Sequence, residues 1–201
     1  MAIDHIGYIF FQGLMPFYLI GRLSFPLFVW LLVQGEQHTR NFKLYALRLL
    51  GLAIASQPIY QIAFEASDLN VLFTLLTGLG CLRAARLQPT FQIPIWLGGA
   101  CLAEFAQFNY GAYGIAMMAL VGQYKPTYLW WAAWAMFHGF TVLWWPSPWQ
   151  ALSGIAAIAF LLASHQRGAK GRWFYVFYPL HILVIWLAHR LAIAYYPNSF
   201  L

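Results

Sequence analysis

Ile3-Asp4-His5-Ile6-Gly7 and, after a short turn, Gly21-Arg22-Leu23-Ser24-Phe25-Pro26-Leu27-Phe28 set an acid, an imidazole and a guanidinium inside sequence apolar enough to sit in lipid. Charge in such a setting is costly and is usually kept for function. The surrounding chain has the same character. Of its 201 residues, 62% are hydrophobic and 8% charged, with 10 Trp, 12 Tyr and 17 Phe. A soluble domain of this length needs far more polar surface.

Apolar runs of roughly 15 to 20 residues recur, separated by loops of only a few residues. The expected fold is therefore an all-α polytopic membrane helix bundle, with about eight spans plus a short N-terminal half-helix. Residues 1–201 form one integral membrane domain in this reading. The half-helix, about 3–12, is too short to cross a bilayer at 1.5 Å per residue, and Gly13 and Pro16 mark a break after it. Spans are expected at about 17–35, 44–64, 70–83, 92–108, 111–124, 127–145, 149–164 and 173–192, several of them short enough to be tilted or broken.

Arg40 with Lys43, Arg83 with Arg86, Lys125, and Arg167 with Lys170 and Arg172 occupy alternate loops. The intervening loops carry Glu65 and Asp68, Asn109 and Tyr110, or Pro146-Ser147-Pro148, without Lys or Arg. The positive-inside rule puts the first set in the cytoplasm and the second outside, with the turn near residue 13 and the C-terminus also outside. Trp130 and Trp131 against Trp144 and Trp145 fit two interfacial belts on one span. The net charge of +6 is thus read as loop charge, and no nucleic-acid partner is expected. Cys81 and Cys101 lie in apolar segments without metal-ligand spacing and read as packing residues. Asp4 stands where a secretory signal carries basic residues, so no cleavage is expected.

Polar residues in the expected outer half are Asp4, His5, Arg22, Gln57, Asn70 with Thr74, and Asn109 with Tyr110 and Tyr113; His138 and His181 lie at mid-span. Gln, Asn, Thr and His also bind transmembrane helices to one another, so each has a structural reading as well. Asp4 and His5 are sequence neighbours and point about 100° apart on a helix, so they form no dyad by themselves. One of them faces the site while the other pairs elsewhere, Asp4 with Arg22 or with a donor on another helix. Tyr175, Tyr178 and His181 form a polar or aromatic stripe beside Pro179. Arg40, Lys43 and Arg48, with Asn41 and His38, make one basic cluster, and Arg167, Lys170 and Arg172 another. Guanidinium matches phosphate bidentately, so each cluster is either topogenic charge or an anion site. P-loop, Rossmann, HExxH and GxSxG motifs are absent, and the six histidines show no metal spacing.

Asp4-His5-Ile6-Gly7, Ile20-Gly21-Arg22-Leu23-Ser24-Phe25-Pro26-Leu27-Phe28 and His38-Thr39-Arg40-Asn41 with Tyr45 and Arg48-Leu49 together resemble the TraX family of integral membrane proteins. The resemblance continues through Ser56-Gln57, Leu69-Asn70-Val71-Leu72-Phe73-Thr74, Asn109-Tyr110-Gly111 with Tyr113-Gly114, and Phe174-Tyr175-Val176-Phe177-Tyr178-Pro179-Leu180-His181. It implies an acetyltransferase of the bacterial inner membrane, with acetyl-CoA as co-substrate and a pilin N-terminus or an envelope glycan as acceptor. On that reading Arg40, Asn41, Arg48, Arg167 and Arg172 hold the CoA phosphates. His5, or alternatively His181 or His138, acts as base or transient acetyl carrier. Arg22 with Gln57 or Asn70 stabilises the oxyanion, and Asp4 orients or balances charge. Two departures stand out. Only Met1 to Ile3 precede Asp4, where family members carry a further apolar half-helix, and Asn109 replaces an expected Asp, so it receives no acid role. A transporter of protons or small anions and a non-catalytic membrane chaperone are the competing readings.

Overall fold

Asn70 and Asn41 show how this chain starts its helices. Each sits in extended backbone and accepts a backbone N–H of the following turn through its side-chain oxygen, from Leu72 at 3.0 Å and from Leu44 at 2.9 Å. These are N-caps, which satisfy donors that a helix start leaves orphaned. At the other end of the second of these helices, Glu65 turns left-handed at φ 49° and stops it.

The computed structural model describes residues 1–11, 15–144, 148–163 and 174–195. Among them the order is α1 (Ala2–Phe10), α2 (Met15–Arg22), α3 (Ser24–His38), α4 (Phe42–Phe64), α5 (Val71–Leu87), a 3-10 turn (Pro89–Phe91), α6 (Gln92–Phe105), α7 (Gly111–Gly122), α8 (Tyr128–Trp144), a 3-10 helix (Pro148–Ala156), α9 (Ala157–Leu162) and α10 (Phe174–Tyr195). The described chain is all-α; its one β feature is an isolated bridge between Leu69 and Phe108.

Each expected span coincides with a helix or a helix pair, but most helices are short or polar for a crossing. Among the described residues, two stretches, Leu19–His38 and Val176–Tyr195, are long and apolar enough to cross a membrane. α5 and α8 have 17 residues each, α6 14 and α7 12, below the roughly 20 that a hydrocarbon core requires. α4 has the length, at 23 residues, but carries Lys43, Arg48, Gln57, Pro58 and Gln61.

The core lies between α3, α5 and α7, where Val29, Leu79 and Met117 are fully buried. The outer surface is no less apolar: Phe105 is 89% exposed, Leu129 82% and Leu162 81%. Meanwhile Glu36, Ser56, Asn70, Thr74, Gln150 and Ser153 are inside. Apolar surface outside and satisfied polar groups inside is the arrangement a lipid solvent favours.

α1 and α2 form an antiparallel hairpin whose close approach depends on glycine. A Cβ at Gly21 would overlap the Asp4 carboxylate, and one at Gly7 would overlap Phe17. The hairpin is braced by α10 on one side and by the 3-10 helix on the other.

Candidate active site

The hairpin, the start of α3, the end of α4, the turn before α7 and α10 line a cavity of about 470 Å³. Asp4, His5 and Arg22, the three charged or titratable residues of the opening sequence stretch, all line it. Gly21 lets α2 lie directly against Asp4, which brings the carboxylate next to the turn of helix bearing Arg22. Phe25, Tyr60, Phe64, Asn109, Tyr110 and Tyr178 complete the walls with aromatic faces and hydroxyls.

His5 is paired with His181 of α10. His181 Nδ1 lies 2.8 Å from the Phe177 carbonyl, which only accepts, so that nitrogen carries the proton and donates. In the neutral ring His181 Nε2 is then an acceptor, and His5 Nδ1, at 3.0 Å, donates to it. The same logic makes His5 Nε2 the unprotonated, basic nitrogen of a ring that lines the cavity. The two imidazole planes are near parallel, 7° apart with centroids at 5.1 Å, as an in-plane bond requires, and Phe64 and Phe177 pack on the pair at 4.7 and 4.8 Å, which fixes the orientation of both. His5 and His181, alternatives in the sequence reading, are one unit here, and His181 itself stands behind the cavity wall.

Arg22 donates through Nη1 to Gln150 Oε1 at 2.7 Å. Gln150 is fully buried on the 3-10 helix and gave no signal in the sequence, because it falls in a short apolar run beside masking prolines and tryptophan. On the wall formed by the end of α4 and the turn before α7, Tyr60 donates to the Asp68 carboxylate at 3.1 and 3.2 Å, and Asn109 Nδ2 donates both to Asp68 and to Tyr60 Oη at 3.1 Å. An amide suits position 109 because a carboxylate there would face Asp68. Tyr110, left-handed at φ 69°, lays its ring on Phe25 at 4.0 Å. Thr74 donates to the Asn109 carbonyl and ties this wall to α5.

Gln57 and Asn70 do not line the cavity. Gln57 Nε2 donates to the Asp68 carbonyl at 2.9 Å, while its Oε1 accepts from Asn70 N at 2.9 Å and Asn70 Nδ2 at 2.8 Å. Asn70 Nδ2 also reaches the Ala53 carbonyl at 2.9 Å. These bonds use both amides to join α4 to α5, a helix-binding role that leaves neither facing the site. His138 is buried against Trp134 and Gly154, also away from the cavity, and donates through Nδ1 to the Trp134 carbonyl at 3.0 Å.

At the opposite end of α3 the buried Glu36 holds two arginines, Arg86 at 2.6 Å and Arg83 at 3.4 Å, and Arg83 also lies 4.8 Å over the Phe42 ring. The sequence reading treated Arg83 and Arg86 as loop charge alone. Arg40 and Arg48 are exposed near this end, and Asn41 spends its oxygen on capping α4. Arg167 and Arg172 lie outside the described residues, as does the side chain of Tyr175.

The TraX protein family model matches residues 1–189. A curated relative, the probable fimbrial assembly protein FimC, serogroup H1, of Dichelobacter nodosus, is 32% identical over 144 residues, which cover 63% of this chain and 58% of that protein. This chain thus spans well under two thirds of that relative's length. No solved structure matches. The match runs from the hairpin through the His5 and His181 pair, and the chain belongs to the TraX family.

Proposed function

We propose that the chain is a polytopic acetyltransferase of the bacterial cytoplasmic membrane, moving an acetyl group from cytoplasmic acetyl-CoA to an amine or hydroxyl of a fimbrial subunit or envelope glycan. The observation that carries this reading is His5, a histidine whose Nδ1 is tied to His181, so that its basic Nε2 belongs to a cavity also lined by Arg22 and Asp4. Membership of the TraX family and the name of the Dichelobacter relative support a fimbrial context. The apolar exterior and the two crossing-competent stretches support the membrane setting.

Acetyl-CoA supplies an activated carbonyl carbon. His5 Nε2 takes the proton of the attacking N–H or O–H as the new bond to that carbon forms, and becomes imidazolium. The Arg22 guanidinium, held by Gln150, meets the oxyanion that develops, in a setting dry enough to make its charge count. When the C–S bond breaks, His5 returns its proton to the departing thiolate. Asp4 offsets the positive charge that Arg22 and the transient imidazolium bring to the cavity.

The donor's phosphates are expected at the Glu36 end. Glu36 fixes Arg83 and Arg86, and Arg83 lies over Phe42, which falls between Arg40 and Lys43 in the sequence. Ser24, on the cavity, is twelve residues from Glu36 along α3, or roughly 18 Å at helical rise. With the Glu36 end at the cytoplasmic face, as the positive-inside reading has it, that distance is more than half of a hydrocarbon core of about 30 Å, and an extended donor arm from one side and an acceptor from the other would meet at the cavity.

The test is transfer of labelled acetyl from acetyl-CoA by the purified, lipid-reconstituted protein to a fimbrial subunit or glycan fraction. Labelled acceptor, lost in His5→Ala, is the expected result. An intact protein that yields no labelled product overturns the enzyme reading. Stable co-purification with a fimbrial subunit without transfer would favour a non-catalytic assembly factor, the alternative that the relative's name also fits.

A further inference from the structure

Gln150 sits in an unusual element. The 3-10 helix Pro148–Ala156 runs nine residues, where three or four is the common limit, and such stretches mark strain or a functional constraint. Its three-residue repeat stacks residues 150, 153 and 156 on one face, whereas an α-helix would rotate each by about 60° from the last. Gln150 and Ser153 are 0% exposed, and Ala156 is 5%.

The hydrogen bonds on this face run in one direction. Arg has only donors, so Gln150 must turn its oxygen to Arg22 Nη1, at 2.7 Å, and its Nε2 to Tyr113 Oη, at 3.1 Å. Ser153 Oγ donates to the Gln150 carbonyl at 2.7 Å. Its proton is thereby used, so across the 2.9 Å contact Tyr113 is the donor and Ser153 the acceptor. The circuit closes from Gln150 Nε2 through Tyr113 and Ser153 to the Gln150 backbone. Tyr113 is itself held between Tyr110, at 6.2 Å, and Phe137, at 5.1 Å. A reversed or freely rotating Gln150 amide would break two bonds at once inside a buried network, where unpaired polar groups are most costly.

We propose that Gln150 is a positioning residue, aimed by the 3-10 helix and by Tyr113 and Ser153, that holds the Arg22 guanidinium in one pose at the cavity. The catalytic meaning of that pose rests on the acetyltransferase reading; the pose itself does not. Gln150 therefore acts through Arg22 and touches no reacting atom.

Two readouts on the full-length, lipid-reconstituted protein test it. The first is the rate at which phenylglyoxal modifies Arg22, followed by peptide mapping with the other arginines as internal standards. Gln150→Leu should change the Arg22 rate several-fold and leave Arg40 and Arg48 unchanged. Tyr113→Phe and the milder Ser153→Ala should shift it in the same direction by less. Gln150→Glu, which keeps an acceptor for Arg22, should restore it toward the unmutated rate. An unchanged Arg22 rate in a folded Gln150→Leu protein, or in Ser153→Ala should Gln150→Leu fail to fold, overturns the proposal. The second readout is acetyl transfer, where Gln150→Leu should lower kcat roughly ten- to hundred-fold with little change in KM for acetyl-CoA. A rise in KM alone would also overturn it. If the unmutated protein transfers no acetyl group, the enzyme reading falls, and the Arg22 modification rate still decides the role of Gln150.

Discussion

Removing His181 separates the base from the group that orients it. His181→Ala deletes the acceptor of the 3.0 Å bond from His5 Nδ1 and the ring that lies beside His5 at 5.1 Å, while leaving His5 in the cavity. A single neutral hydrogen bond contributes about 0.5–1.5 kcal/mol net, which converts to a fall in turnover of roughly two- to thirteenfold as His5 is freed to populate the wrong tautomer and orientation. Losing the base itself, in His5→Ala, is expected to cost on the order of 10² to 10⁴. His181→Gln, which retains an acceptor on a longer arm, should recover part of the loss. The assay is single-turnover acetyl transfer at saturating acetyl-CoA, with matched protein folding judged by thermal unfolding. In the double variant the His181 effect should vanish, because a residue that acts only through His5 has nothing left to act on. Strictly multiplicative effects, or a larger loss in His181→Ala than in His5→Ala, would refute the assignment of roles.

Gly21→Val places a branched side chain where the Asp4 carboxylate lies, so the α1–α2 hairpin must open. The expected cost is about 1–3 kcal/mol of overpacking, seen as a lower unfolding temperature together with loss of transfer. Asn109→Asp removes two donors at 3.1 Å and sets a second carboxylate beside Asp68. It should destabilise this wall of the cavity, and Asp68→Asn in the same chain should recover much of that loss, a coupling that a double-mutant cycle reads directly. Glu36→Ala leaves the buried anchor of Arg83 and Arg86 empty. It should raise KM for acetyl-CoA more than it lowers kcat, which steady-state kinetics against acetyl-CoA would show.

Asp4, His5 and Arg22 were legible because charge inside apolar sequence is rare, and the cavity does bring the three together. The His5 bond to His181 was not, since the residues lie 176 positions apart and the contact depends on how α10 packs on the hairpin. Gln57 and Asn70 carry the same outward signal as a catalytic amide, a polar group in apolar sequence, yet their bonds join two helices. Pattern alone does not separate those uses, because both satisfy the same rule that buried polar groups find partners. Gln150 was hidden for the opposite reason: its significance depends on a 3-10 repeat that no helical or strand period reveals. Glu36 lies just past the expected 17–35 span, yet α3 continues to His38 and buries it. The all-helical class followed from apolar run lengths, whereas the lengths of individual helices depended on caps and left-handed stops such as Glu65.

The central claim is that acetyl transfer occurs at His5 and Arg22, in the cavity lined by the hairpin, α3, α4, α10 and the turn before α7. The most direct measurement is a structure of the lipid-embedded protein with a non-hydrolysable thioether analogue of acetyl-CoA. The account predicts the analogue's carbonyl oxygen within hydrogen-bonding reach of Arg22, about 3 Å, with room for an acceptor atom beside His5 Nε2 at a similar distance. Its phosphates should lie at the Arg83 and Arg86 end. An acyl group found away from that cavity, with His5 and Arg22 untouched, would contradict it.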